Sequence, residues 1–463
     1  MVVVLSVLSG LALNLAFAPF SFWPAAFLAL GSLFYLLLDK NFKKRMLIAM
    51  SFALSFFLVL LHWSGSYVGW FPWVALAVLQ SGFFLIFLLF RFERNIFSAI
   101  GFASCYLLVE LLRMKFPFGG FGWGRIGHTQ TFPLSNIYPF VGVAGVTFVT
   151  AIIASLVVLI RWKLLSLLAL LLLSLSIFPA QIAKQGNINV LAVQGGVDKL
   201  GLDFNERALS VLRRHIAATD LSKDVDLVIW PENSSDLDPE RNPVAKREIS
   251  ELLRRLSKPL LIGAVERDSK GPLNTAILYR PDGSLTRYIK QDLAPFGEYM
   301  PLRNIAERIV PAAKRVKDFQ AGSESVLFDL SKDSFSTLIC FEILDDDLVR
   351  QSTLGASFLV NQTNNATFGR SNQAAQQLQI AASRAAELGR NMISVSTTGF
   401  TAHLNSSGKV EEELPQFQSG NLISELTTYE GRTTASRIGS WFWFIIGALG
   451  IGARGFNLLI KSR

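Results

Sequence analysis

Three residues in this chain have the types and the setting to do chemistry together. Glu232 follows Asp226-Leu-Val-Ile-Trp-Pro231, Lys290 follows Leu285-Thr-Arg-Tyr-Ile289, and Cys340 follows Ser336-Thr-Leu-Ile339. Each stands where an apolar, β-branched run gives way to polar sequence, the pattern of a buried strand leaving a sheet. Reactive groups of α/β proteins gather at such rims. Cys340 is one of only two cysteines, and Cys105 lies in an apolar span, so a disulfide is not expected. A lone thiol is either a packed hydrophobe or a nucleophile. A nucleophilic thiol needs a base. The four histidines fit that role poorly: His62 and His128 fall in the apolar region, His215 on a helix face and His403 in a late hairpin. A carboxylate can serve if burial raises its pKa, and a neighbouring lysine can stabilise both thiolate and oxyanion. An ordinary Glu232–Lys290 ion pair is the alternative.

The elements that would position these residues lie between 187 and 435. Strands are expected at 187–194, 226–230, 260–264, 275–279, 285–290, 325–329, 335–341, 356–360, 392–396 and 400–404. Helices are expected at 203–219, 243–256 and 372–389. Strands and helices alternate early and hairpins come late, which predicts a mixed sheet with helices on its faces. Arg384, Glu387 and Arg390, on or just after the last helix, fit either surface charge pairs at i,i+3 spacing or a functional role.

The rest of the chain is of another kind. The 463 residues are 51% hydrophobic and 17% charged, with a mean hydropathy of +0.39. Seven apolar runs, 2–19, 22–38, 46–62, 71–90, 96–112, 138–160 and 164–180, precede the α/β segment, and an eighth spans 441–460. Each approaches the length that crosses a bilayer core of roughly 30 Å. Residues 1–186 carry 12 Lys and Arg against 3 Asp and Glu, whereas 187–440 carry 29 against 32. Lys40, Lys43, Lys44, Arg45, Arg91, Arg94, Arg161, Lys163, Lys461 and Arg463 fall on alternate loops or the tail. The positive-inside rule then puts both termini in the cytoplasm and the α/β segment outside it. An unpaired cysteine in that compartment points to reactivity. The expected organisation is a seven-span region 1–186, an extracytoplasmic catalytic domain 187–435, and a final span with a cytoplasmic tail, 436–463. The loop Phe116–Gly124 and the group Trp63, Tyr67, Trp70 and Trp73 fit either interfacial anchors or a lipid entry path. No basic stripe marks a nucleic-acid surface, no phosphate-cradling glycine loop appears, and no metal-spaced His/Cys cluster is present.

Trp230-Pro231-Glu232, Tyr288-Ile-Lys290 with Pro295-Phe-Gly-Glu298-Tyr-Met-Pro301, and Ile339-Cys340-Phe-Glu342 resemble the Glu, Lys and Cys motifs of the nitrilase superfamily, in its order. With the flanking spans, Leu15-Ala-Phe-Ala-Pro-Phe20 and Phe22-Trp-Pro24, the chain resembles the apolipoprotein N-acyltransferase family over nearly its whole length. The resemblance implies a membrane α-helical bundle of about eight spans plus an α-β-β-α sandwich. It implies that Glu232 is the general base and that Cys340 attacks the sn-1 ester of a membrane phospholipid. Lys290, with a backbone N–H near Phe341, would face the oxyanion. The amine of a diacylglyceryl-cysteine at an apolipoprotein N-terminus would then take the acyl group from the thioester. Glu298, Glu342, Asn364 and Phe368 would orient substrate or the catalytic groups. Ester to thioester to amide runs downhill, so neither a cofactor nor a metal is expected. The implied location is the bacterial cytoplasmic membrane. Asn364-Asn365-Ala-Thr367-Phe368-Gly369 departs from the family's Asn-Asp-x-Trp-Phe-Gly at Asn365 and Thr367, and Phe341 stands where tyrosine is common. Two other classes compete: a membrane-tethered amidase hydrolysing small amides, and a non-catalytic membrane scaffold or transporter. Eight spans exceed what tethering needs. Apart from Glu110, the spans carry few ionisable residues of the kind transport uses.

Overall fold

The computed structural model describes residues 1–175, 177–178, 181–203, 205–310, 313–314 and 316–461, the last nine as backbone alone. The chain forms two compact units, Met1–Gln181 with Thr433–Arg463, and Ile182–Arg432.

In the first unit, helices Val2–Leu13, Pro24–Leu37, Phe42–Leu60, Trp70–Gly82, Ile96–Lys115, Tyr138–Val158, Trp162–Leu175 and Ser440–Lys461 occupy the apolar runs. Among the described residues, three stretches are long and apolar enough to cross a membrane: Trp70–Leu89, Ile96–Lys115 and Thr131–Val158. Val2–Ala16, Pro24–Leu37, Trp162–Leu175 and Ser440–Gly452 are apolar but shorter. The first run stops early because Phe17 is extended and Pro19 has no N–H to continue a helix. The end of the run 164–180 and the tail residue Arg463 lie outside the described residues.

Several expectations for this unit change. Helix Phe42–Leu60 starts before the predicted run because the Asn41 side chain accepts the Lys44 N–H (3.0 Å). That start draws Arg45 out of the loop, buries it, and lets its guanidinium donate to the Phe90 carbonyl. The aromatic groups expected at an interface divide. Phe116, Phe118, Tyr67 and Trp70 are exposed, whereas Trp63 and Trp123 are buried against each other with ring centroids 4.9 Å apart. Glu110 is fully engaged: it accepts from Ile126 N and Thr147 Oγ1, both at 2.7 Å, and lies 3.6 Å from Arg125 Nε.

The second unit contains twelve strands among the described residues: β1 (Ile182–Gln194), β2 (Leu227–Ile229), β3 (Leu260–Arg267), β4 (Pro272–Tyr279), β5 (Leu285–Ile289), β6 (Phe328–Asp329), β7 (Ser334–Ile339), β8 (Phe358–Thr363), β9 (Met392–Ser396), β10 (Thr401–Leu404), β11 (Val410–Leu414) and β12 (Gly420–Gly431). They form two six-stranded sheets, β12-β1-β2-β3-β4-β5 and β11-β10-β9-β8-β7-β6. Strand order alone predicts one mixed sheet; there are two, each mixed. β1, β2 and β3 run parallel in one, and β7, β8 and β9 in the other. The sheets share a core that includes Val190, Ile229 and Leu261 from the first and Phe335, Phe358 and Val395 from the second. Each such side chain contributes roughly 1.5–3 kcal/mol on burial. The other face of the first sheet packs Leu191, Val228 and Ile262 with Leu212, Ile249 and Leu252 of helices Ser210–Ala218 and Pro243–Leu256. The helix predicted at 203–219 begins only at Ser210, because Leu209 takes a left-handed conformation (φ 63°); residue 204 lies outside the described residues. β12 returns to pair antiparallel with β1, from Ile182 opposite Gly431 to Gln194 opposite Gly420.

Candidate active site

β2 is short because the chain leaves it at Trp230-Pro231, yet pairing with β3 continues: Trp230 N donates to Leu261 O (2.8 Å) and Gly263 N to Pro231 O (3.2 Å). A Cβ at Gly263 would sit 2.4 Å from Pro231 O and 2.6 Å from Glu232 Cα. Glycine there is what allows Glu232 to lie against the sheet. Gln362 of β8 reaches across to the other sheet, donating to Trp230 O (2.7 Å) while accepting from Thr337 Oγ1 of β7 (3.2 Å). The end of β2 is thus pinned to the strand that delivers Cys340.

Cys340 has φ 57° and opens a tight turn, Cys340–Leu344. The turn ends β7 at Ile339, two residues before the predicted strand end. Glu342 locks it. One carboxylate oxygen accepts Ile339 N (2.7 Å), and the other accepts Tyr288 OH (2.7 Å), Gln291 N (2.7 Å) and Asp292 N (3.3 Å). Burial pushes this carboxyl up to about 7 despite those donors. Arg384 holds the same turn from helix Gln373–Leu388, donating to Ile343 O (2.9 Å), Leu344 O (3.2 Å), Asp346 (2.6 Å) and Glu387 (2.6 Å). The surface reading of Arg384, Glu387 and Arg390 is therefore corrected: all three are buried, Arg384 and Glu387 on the inward face of the helix and Arg390 beyond its end, where it donates to Ala356 O (2.9 Å).

Lys290 extends β5 by one residue, its N–H donating to Asn274 O (2.9 Å). Its Nζ lies 2.8 Å from Glu298 and 3.7 Å from Glu232. Glu298 is held by a turn in which its carboxylate accepts Ala294 N (2.8 Å). The Cys340 thiol lies close enough to the Glu232 carboxylate and the Lys290 ammonium to feel both charges. Glu232, Lys290 and Cys340 are 5%, 1% and 5% exposed, so all three chemical groups meet out of bulk water.

Burial drives the electrostatics. It raises the pKa of Glu232, partly offset by Lys290. It also raises Cys340, and the Glu232 charge adds to that. Burial alone would lower Lys290; Glu298, Glu232 and Cys340 overcome it and hold the ammonium above the ordinary lysine range. The resting site is a neutral thiol near a carboxylate and a fixed positive charge. It can pass the thiol proton to Glu232 as sulfur attacks a carbonyl, with Lys290 close to the charge that develops.

The structure brings Glu232, Lys290, Cys340 and Glu298 together. Glu342 ties the turn to the end of β5. Asn364 Oδ1 caps Ala366 N (3.1 Å) and accepts from Thr397 Oγ1 (2.8 Å), and Phe368 packs edge-on to Phe341 at 5.9 Å. His215 and His403 are buried elsewhere in this unit. Sequence reasoning missed Asn274, which donates to both Glu232 (2.8 Å) and Glu298 (2.7 Å). Its signal was a polar residue in register with core-facing Ala276 and Leu278. Gln377 was also missed; its Nε2 lies 3.7 Å from Cys340 Sγ.

Comparison with known proteins bears on both units. Residues 9–156 match the family model of the apolipoprotein N-acyltransferase N-terminal domain, and residues 190–435 match that of the carbon-nitrogen hydrolases. An apolipoprotein N-acyltransferase of Haemophilus influenzae is 31% identical, covering 94% of this chain and 91% of that protein. Another from Mycolicibacterium smegmatis is 31% identical, covering 98% and 84%. Among solved structures, a CN-hydrolase superfamily protein of Xanthomonas campestris aligns over 52% of this chain and 91% of that one, at 17% identity and a TM-score of 0.40.

Proposed function

Because the chain belongs to the apolipoprotein N-acyltransferase family, we propose that it moves a fatty acyl chain from a membrane phospholipid, through a thioester on Cys340, to the N-terminal amine of a diacylglyceryl-cysteine. It is an acyltransferase with a nitrilase-like domain, and its apolar helices fit a transmembrane protein. The observation that carries the reading is the convergence of buried Glu232, Lys290 and Cys340, with Lys290 Nζ 3.7 Å from the Glu232 carboxylate.

In the first half-reaction Sγ bonds the sn-1 ester carbonyl carbon as Glu232 takes the thiol proton. Lys290 and a backbone N–H near Phe341 face the oxyanion. The C–O bond breaks, and the lysophospholipid leaves with the proton from Glu232. In the second, the free amine attacks the thioester, Glu232 receives the amine proton and returns it to sulfur, and the amide departs. Glu298 orients Lys290 or receives a proton from the amine. Glu342 and Asn364 hold the turns around the site, and Phe368 with Phe341 meets the acyl chain. The low exposure of the site supports amine attack over water. The same reading has eight spans, both termini cytoplasmic, and the domain 187–435 on the outer side of the bacterial cytoplasmic membrane; the distribution of loop charges supports it.

The test is the intact mass of the purified protein incubated with phospholipid and no acceptor, beside Cys340→Ala. A hydroxylamine-labile gain of one fatty acyl chain, absent from the variant, is the expected result. Hydrolysis of small amides through Cys340 with no adduct would replace the proposal by an amidase.

A further inference from the structure

The sulfur of Cys340 has a second polar partner, and that partner is held in one orientation. Gln377 is 2% exposed and lies in the N-terminal half of helix Gln373–Leu388. Its Nε2 is 3.7 Å from Cys340 Sγ, within range of an N–H···S bond. Its Oε1 accepts from Asn365 Nδ2 (2.7 Å) and Gln373 Nε2 (3.2 Å). With two donors on the oxygen, the nitrogen end faces the thiol. Asn365 is fixed in turn, because its Oδ1 accepts from Ser396 Oγ (2.6 Å) and Thr363 Oγ1 (3.1 Å). The chain starts at Gly399, whose backbone N–H donates to Ser396 Oγ (2.8 Å). A backbone amide nitrogen can only donate, so Ser396 Oγ accepts there and keeps its hydroxyl proton for Asn365 Oδ1. A Cβ at Gly399 would lie 2.2 Å from Asn365 Oδ1 and 2.8 Å from Ser396 Oγ, so the relay needs glycine at its origin.

We propose that Gln377 is a further catalytic residue, donating its amide N–H to the Cys340 sulfur when that sulfur is anionic, and that Asn365 is the positioning residue that keeps the amide nitrogen turned to it. The proposal rests on Cys340 being the nucleophile. A sulfur anion gains from a donor and is opposed by an amide oxygen. The flipped amide would hold the proton on the thiol. The donor acts twice: it favours the thiolate that attacks the ester, and it favours the thiolate that the amine later expels from the thioester. Glu232 and Lys290 bear on the same sulfur from the first sheet; Gln377 does so from the helix that follows β8.

The test uses the full chain in detergent with Cys105→Ser, so that Cys340 is the only thiol. Alkylation by iodoacetamide is followed by intact mass across pH, beside thermal melting, for Gln377→Met, Asn365→Leu and the double variant. Each single variant is expected to slow alkylation at neutral pH about tenfold or more and to move its pH midpoint up by about one unit. The double variant is expected to match Gln377→Met, since Asn365 acts through Gln377. Either single variant that melts near the parent carries the test. Unchanged profiles in both singles would overturn the proposal, and so would a double variant slowed by the product of the two single effects. Alkylation consumes no lipid. Shifted profiles in a parent protein that never forms an acyl adduct would therefore refute acyl transfer and leave the relay standing.

Discussion

Replacing Asn274 with leucine keeps most of the side chain's volume and removes two hydrogen bonds to carboxylates, 2.8 Å to Glu232 and 2.7 Å to Glu298. A bond to a charged group is worth roughly 1.5–3 kcal/mol, and about 1.4 kcal/mol equals one pKa unit. The donor favours ionised Glu232, whose pKa burial has already raised. Its loss therefore raises that pKa by about one further unit. Glu232 must be ionised to take the thiol proton, so activity lies above its pKa. The acid limb of acyl-enzyme formation should move about one unit to higher pH, with a roughly tenfold loss on that limb and recovery on the alkaline side. The assay is the rate of hydroxylamine-labile acyl mass gain on Cys340 as a function of pH. An unmoved limb would refute the tuning role, and an equal loss at every pH would mean that Asn274 only maintains packing.

Gly263→Ala drives a Cβ to 2.4 Å from Pro231 O, so Glu232 must shift; adduct formation should fall by at least tenfold and the melting temperature should drop. Arg384→Met strands buried Asp346 and Glu387 and two carbonyls, which should cost about 3–5 kcal/mol in chemical unfolding, and Arg384→Lys should restore little because it lacks the planar fork. Glu342 has its pKa raised from 4.5 to about 7, so its contribution to stability is fully present below the unfolded value and is lost as pH rises through about 7. That loss is on the order of 3 kcal/mol; Glu342→Gln should flatten this part of the stability–pH curve, and a curve that keeps its slope would contradict the assignment.

Cys340, Lys290 and Glu232 were legible because each ends an apolar run, and a strand that runs out at a sheet rim leaves that signature whatever the sheet. Pairing was less legible. Two mixed sheets share one strand alphabet, so nothing local in β3 or β8 says which sheet it joins. β12 escaped because its inward positions include Ser424 and Thr428, which blur the period-two pattern around Leu422 and Leu426. Asn274 and Gln377 read as ordinary polar residues. Their importance comes from inward-facing positions beside groups distant in the chain, 42 residues from Glu232 in one case and 37 from Cys340 in the other. Arg384 misled for the same reason: i,i+3 charge spacing looks alike on a wet face and on a buried one.

The pairing of β1 with β12 also governs how the domain can be made. β1 finds β2 soon after synthesis, but its other edge waits for β12, and 225 residues, 195 to 419, separate the paired ends. At a ribosome's pace that is on the order of tens of seconds with an open strand edge. The nascent domain is most exposed to misassociation during that wait. A chain stopped before Gly420 would be an unfinished domain with a sticky border, not a smaller enzyme. Helpers that bind extended edges would be needed most in that interval, before the last strand arrives.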